Sequence, residues 1–152
     1  MKIFGLFVMS LVSLVLIGCP EGSQSKAALA SLQVTQVIQT SQDAEIAAFD
    51  QHLISPSDHK FIQEQFKTIA TLDKSANDCI KSASSQGAVV VCVNTAISGI
   101  DQVYTNGGTF LKSSQARSTY QLAISSIRGV LAAINTMLGG TAPPQPAFGG
   151  AQ

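Results

Sequence analysis

Residues 120–138 read YQLAISSIRGVLAAINTML. Within them Tyr120, Ile124, Ile127, Leu131, Ile134 and Leu138 recur at alternating steps of four and three, flanked by Ala123, Val130 and Met137. On an α-helix this spacing gathers the apolar side chains into one broad seam, the pattern of a helix that packs in a bundle. Only Arg128 interrupts the stretch with charge. Gly139-Gly140 supplies a stop, and Thr109, after Asn106-Gly107-Gly108, offers an N-cap. A helix over about 109–138 is therefore expected.

Three more helices are predicted upstream. Residues 88–104 carry Val89, Val93, Ala96, Ile100 and Val103 at helical spacing. Their first part, 88–93, is β-branched and also fits a buried strand, but no second convincing strand exists to pair with it. In residues 56–84 the apolar face holds Ile62, Phe66, Ile69, Leu72, Ala76, Cys79, Ile80 and Ala83. The opposite side carries Lys60, Lys67, Lys74 and Lys81, with Glu64 and Asp78 interleaved, which reads as a solvated face rather than a lipid-binding stripe. Ser55-Pro56-Ser57-Asp58 starts that helix: Ser55 caps, Pro56 fits the first helical position, and Asp58 suits the positive end of the dipole. The first helix is expected over 27–53, its apolar stripe drifting around the axis. The predicted fold is all-α, a small antiparallel bundle of about four helices spanning 27–138.

The N-terminus reads MKIFGLFVMSLVSLVLIGC, with Lys2, an uncharged apolar run from Ile3 to Ile17, then Gly18-Cys19. A basic start and an apolar core ending at a small residue have the shape of an export signal. The ending Leu16-Ile17-Gly18-Cys19 resembles the lipobox of bacterial lipoproteins. The resemblance covers about 19 residues and implies a diacylglyceryl group on Cys19, cleavage after Gly18, removal of a signal helix at 1–18, and further acylation with fatty chains such as palmitate. A plain export signal or an uncleaved anchor helix would also carry the domain out. One acyl chain binds a membrane reversibly and two or three hold durably, so the mature protein would be anchored without spanning. Pro20 stands where aspartate favours retention at the inner membrane, which points to the outer membrane in a Gram-negative cell. Residues 19–26 then form the lipidated cysteine and a polar tether.

With Cys19 assigned to lipid, Cys79 and Cys92 remain as an even pair in a disulfide-permissive compartment. They lie symmetrically about residues 85–86, as an antiparallel helical hairpin requires for pairing. Metal binding or free thiols are the alternatives, and no nearby His or further Cys completes a zinc site. A disulfide is expected.

Nine Lys and Arg balance nine Asp and Glu over 152 residues, and Lys2 is the only charge in residues 1–18. The mature chain is thus close to neutral and lacks the basic footprint of a nucleic-acid binder. No nucleotide-binding glycine fingerprint, phosphate loop, nucleophile elbow or zinc-helix motif occurs, and no cofactor is expected. His52 and His59 are the only imidazoles. They straddle Ser55-Pro56, so a shared helical face cannot be assumed, and loop-flanking surface histidines are the favoured reading over a catalytic base or metal pair. Asp43, Glu45 and Asp50 read as a solvated helix face. Tyr104, beside Asn106-Gly107-Gly108, is the aromatic candidate for partner contact, while Tyr120 lies on the seam. Residues 139–152, with Pro143-Pro144-Gln145-Pro146 and Phe148, are expected as a disordered tail.

These features point to a non-enzymatic, membrane-anchored envelope lipoprotein that binds another envelope protein or itself, with membrane lipid engaged through Cys19. The main alternative is a membrane-active or exclusion protein inserting residues 88–104 and 119–139 into lipid, at the cost of burying Asp101 and Arg128 there. An enzyme using His52 or His59 is a third class.

Overall fold

A computed structural model of the chain describes residues 22–148. The expected signal at 1–18 and Cys19 lie outside the described residues. Four helices account for the fold: α1 (Ser23–Asp50), α2 (Pro56–Ser82), α3 (Gln86–Phe110) and α4 (Ser114–Met137), with no strand among the described residues. Each helix packs on its sequence neighbour and α1 also packs on α4, which closes an antiparallel four-helix bundle. Residues 88–93 are helical, since their apolar side chains find a helical core instead of a sheet.

Serine opens three of the helices. The hydroxyls of Ser55, Ser85 and Ser113 accept from the backbone N–H groups of Asp58 (3.1 Å), Ala88 (3.2 Å) and Ala116 (3.0 Å). Each satisfies one of the donors that a helix start leaves unpaired. Pro56 stands at the first position of α2, as its neighbours predict.

The α3–α4 boundary differs from the expectation. Asn106-Gly107-Gly108 does not stop α3, and Thr109 does not cap α4; the break falls at residues 111–113. The reason is packing. A Cβ at Gly107 would lie 1.9 Å from Cε1 of Tyr120, so the glycine lets the tyrosine ring press against the backbone of α3. Gly139 has φ 78°, the left-handed conformation that glycine adopts freely, and it ends α4. There the N–H groups of Gly139 and Gly140 bond the carbonyls of Thr136 and Asn135, each at 2.9 Å, forming a Schellman motif. The same motif ends α1 with a histidine in the glycine position: His52 has φ 58°, and the His52 and Leu53 N–H groups bond the Phe49 and Ala48 carbonyls.

One apolar core runs the length of the bundle, with Ile62, Phe66, Ile69, Ile97, Ile100, Tyr120, Ile124 and Ile127 fully enclosed. Residues 141–148 have no regular secondary structure, yet Ala142 and Phe148 pack on this core, so this part of the tail is a strap and not the free end expected. Its seat is assembled from α3 and α4, which local composition does not reveal.

Candidate functional site

The two cysteines expected to pair do so. Cys79 near the end of α2 and Cys92 near the start of α3 form a disulfide with a Cα separation of 5.8 Å. Cys92 is buried and Cys79 exposed, so the bridge pins the outer side of the hairpin to its core. A loop of this size is worth roughly 3 kcal/mol in the chain-entropy model.

Tyr104 is not the free surface ring expected; it is 4% exposed. Phe148 of the strap covers it, edge-on at 4.9 Å between ring centroids, and Gln121 donates to its hydroxyl at 3.0 Å. Phe148 also lies 6.3 Å from Tyr120. Burial raises the Tyr120 phenol above its ordinary pKa, and its hydroxyl donates to the Val103 carbonyl at 2.6 Å.

Further along the strap, the guanidinium of Arg128 on α4 donates to the Pro143 carbonyl. The same guanidinium pairs with Asp101 on α3, Nε to Oδ1 at 2.6 Å and Nη2 to Oδ2 at 3.3 Å. Arg128 is buried and Asp101 partly so, and two charges and a strap carbonyl form one largely shielded polar knot. Gln145 of the strap donates to Ser125 at 2.8 Å. The groove between α3 and α4 is thus lined by Tyr104 and Tyr120 at one end and Arg128 further along, and it holds the chain's own strap. Sequence reasoning notices Asp101, Arg128 and Phe148 one at a time; nothing local says that they meet.

The second cluster joins α1 to α2. Glu45 was expected on a solvated face, but it is 0% exposed. Its oxygens lie 2.7 Å from Nδ1 of His59 and 2.6 Å from Nε2 of Gln63. With the carboxylate ionised, Nδ1 carries the proton and donates, which fixes the imidazole orientation. The ring stacks on Phe49 at 4.0 Å. A carboxylate-oriented imidazole is half of a catalytic constellation, and here the pair also ties α1 to α2. His52 is exposed and serves the end of α1, so the structure does not bring the two histidines into one arrangement. Among the described residues no group of three His, Cys, Asp or Glu is arranged to hold a metal ion.

Two other carboxylates brace helices. Asp58 accepts from the N–H groups of Lys112 (3.1 Å) and Ser113 (3.3 Å), which ties the start of α2 to the α3–α4 connection. Burial pushes its pKa up, but these bonds and those of the Ser55 and Ser113 side chains outweigh it and leave the pKa below the ordinary value. For Asp73, half-buried beside α1, burial wins: the pKa is raised, although the Ser31 hydroxyl donates to it at 3.1 Å and Thr35 adds a longer bond.

Lys60, Lys67, Lys74 and Lys81 are all exposed, and Asp78 lies 3.9 Å from Lys81. Two hollows beside Asp73 and Leu131 measure about 10 Å³ each, at the lower limit for one water molecule. Among the described helices, α3 alone is long and apolar enough to cross a membrane, and 44% of that apolar window is buried inside the bundle. The chain matches no known protein-family model, no curated protein and no solved structure at a significant level.

Proposed function

We propose that this chain is an exported cell-envelope lipoprotein, anchored through lipid on Cys19, whose bundle is a non-enzymatic binding or structural module facing another envelope component or itself. The observation that carries the reading is Leu16-Ile17-Gly18-Cys19 standing directly ahead of α1, which begins at Ser23. The helix starts earlier than the expected 27, so the tether shortens to a few residues. A module held that close has a restricted geometry and a raised effective concentration for neighbours on the same membrane. A binding role needs a surface and no reacting group, and the α3–α4 groove already accommodates a peptide.

Replacement of Cys19 by alanine, followed by fractionation and intact-mass measurement, tests the anchor. Release from membranes, or loss of a lipid-modified mature species, is the expected result. Unchanged retention and processing would overturn it. The membrane-active alternative draws support from the apolarity of α3, but insertion would carry Asp101 and Arg128 out of their mutual pairing and into lipid. Dye leakage from vesicles would favour that alternative.

A further inference from the structure

We propose that residues 142–147, seated on the bundle as they stand, form a pre-ordered polyproline ligand for a partner protein that carries an aromatic-lined groove. The inference rests on the reading of the bundle as a binding module and names the chemistry of its partner.

Covalent geometry sets the conformation first. Residues 142–146 read APPQP. Proline holds its own φ at about −65° and disfavours the α region for the residue before it. Pro143, Pro144 and Pro146 meet the first condition, and Ala142, Pro143 and Gln145 the second, so the whole stretch favours the left-handed polyproline helix. That helix has three residues per turn and no internal hydrogen bonds.

The contacts with the bundle repeat at the same interval. Ala142 packs on the core, the Gln145 side chain donates to Ser125 at 2.8 Å, and the Phe148 ring meets Tyr104 at 4.9 Å, each three residues after the last. The advance agrees as well. From Pro143, whose carbonyl accepts from Arg128, to Phe148, which lies against Tyr120, a polyproline helix covers about 15 Å at about 3.1 Å per residue. The matching part of α4, residues 120–128, runs about 12 Å at about 1.5 Å per residue. One edge of a three-sided rod is thus turned to the bundle, and the other two carry Pro143 with Pro146 and Pro144 with Ala147. Pro143, Pro144 and Ala147 are exposed and Pro146 is partly so.

The chemistry of these edges says what they fit. Proline rings are flat and apolar, they bring no N–H, and the carbonyls of the rod are left outward as acceptors. Tryptophan and tyrosine rings offer flat apolar faces to the prolines and an N–H or O–H to the carbonyls, which is how P-x-x-P segments are held. Residues 141–148 carry no charge, so neither an acidic nor a basic groove is selected. The seat contributes by ordering the segment in advance, which removes part of the entropy cost that a free peptide meets on binding. A partner lands on the outer edges while Phe148 stays over Tyr104.

The test titrates the isotopically labelled full chain with a WW domain and a Src-homology-3 domain, probes whose grooves are aromatic-lined. The Gln145 and Ala147 amides should shift while the Tyr104 and Tyr120 signals hold, and the chain should bind about tenfold tighter than a free peptide of residues 141–148. Pro143→Ala combined with Pro144→Ala should abolish binding and leave thermal unfolding of the bundle unchanged. In intact cells, p-benzoylphenylalanine in place of Ala147 should capture an envelope protein through a tryptophan- or tyrosine-bearing segment, and the double replacement should remove that product. Failure of both probes, binding no tighter than that of the free peptide, or capture that is absent or indifferent to the double replacement would overturn the proposal. Any of these in a chain that Cys19 still holds on membranes leaves the lipoprotein reading standing. Probe binding by a chain whose anchoring ignores Cys19→Ala does the reverse.

Discussion

The guanidinium of Arg128 and the carboxylate of Asp101 pair at 2.6 Å across the α3–α4 interface, with both side chains largely shielded from water. Each is the sole charge within the apolar run where it stands, and each has its partner in the neighbouring helix. Removal of one partner leaves the other buried and uncompensated, so Arg128→Met should destabilise the chain by about 3–5 kcal/mol. Combined with Asp101→Leu it should recover most of that loss, because no charge is left stranded. Urea unfolding of the two single variants and the double variant closes the cycle. A double variant as weak as Arg128→Met would show that the loss comes from packing.

Asp58 gives the fold an acid limit. Its folded pKa lies below the ordinary carboxylate value, so its contribution is present above the unfolded pKa of about 3.9 and is lost as pH falls through the folded pKa. Asp58→Asn should cost about 1–3 kcal/mol at neutral pH, with the gap to the parent closing in acid. Asp73 has the opposite sign. Its folded pKa is raised, so its contribution is full below the unfolded value and is lost as pH rises through the folded one. Asp73→Asn should therefore gain on the parent as pH rises from the unfolded carboxylate pKa of about 3.9 through the raised folded one. Unfolding midpoints across a pH series decide both.

Two glycines within helices should respond oppositely to alanine. At Gly107 the new methyl would meet the Tyr120 ring, and a loss of about 1–3 kcal/mol is expected from overpacking. At Gly129 nothing lies within 4 Å, and alanine should stabilise by about 0.5–1 kcal/mol through helix propensity. Equal losses at both positions, in thermal or urea unfolding, would remove the close-approach explanation for Gly107.

His52 is a side-chain-bearing residue in a conformation that suits glycine. His52→Gly should raise stability by about 1 kcal/mol, while His52→Ala, which keeps a Cβ at positive φ, should change little. A fall with both variants would instead assign the imbalance to a lost imidazole contact.

Much of this architecture is legible from local signals. The seam of α4, the Ser55-Pro56 start of α2 and the symmetric placement of Cys79 and Cys92 each depend on residues close in sequence, and each is found as predicted. Errors arise where a residue answers to a distant partner. Gly107-Gly108 has the composition of a helix stop, but the Tyr120 ring needs the missing side chain at Gly107. Glu45 looks solvated until His59 and Gln63 of the next helix enclose it. Tyr104 looks free because Phe148, its cover, lies at the far end of the chain. The candidate site is the least legible part, since the groove exists only after α3 and α4 have paired.

The early start of α1 sets a height. Its 28 residues span about 42 Å at a rise of about 1.5 Å per residue. In an antiparallel bundle the start of α1 shares one end with the α2–α3 turn and the end of α4, and the α1–α2 and α3–α4 connections occupy the other. A lipid on Cys19 would make the molecule a mast with its foot in the bilayer surface. Exposed Leu53 and Phe110 would crown it, and the strap, rising from Gly140, would carry Phe148 up the side of the mast, away from the membrane.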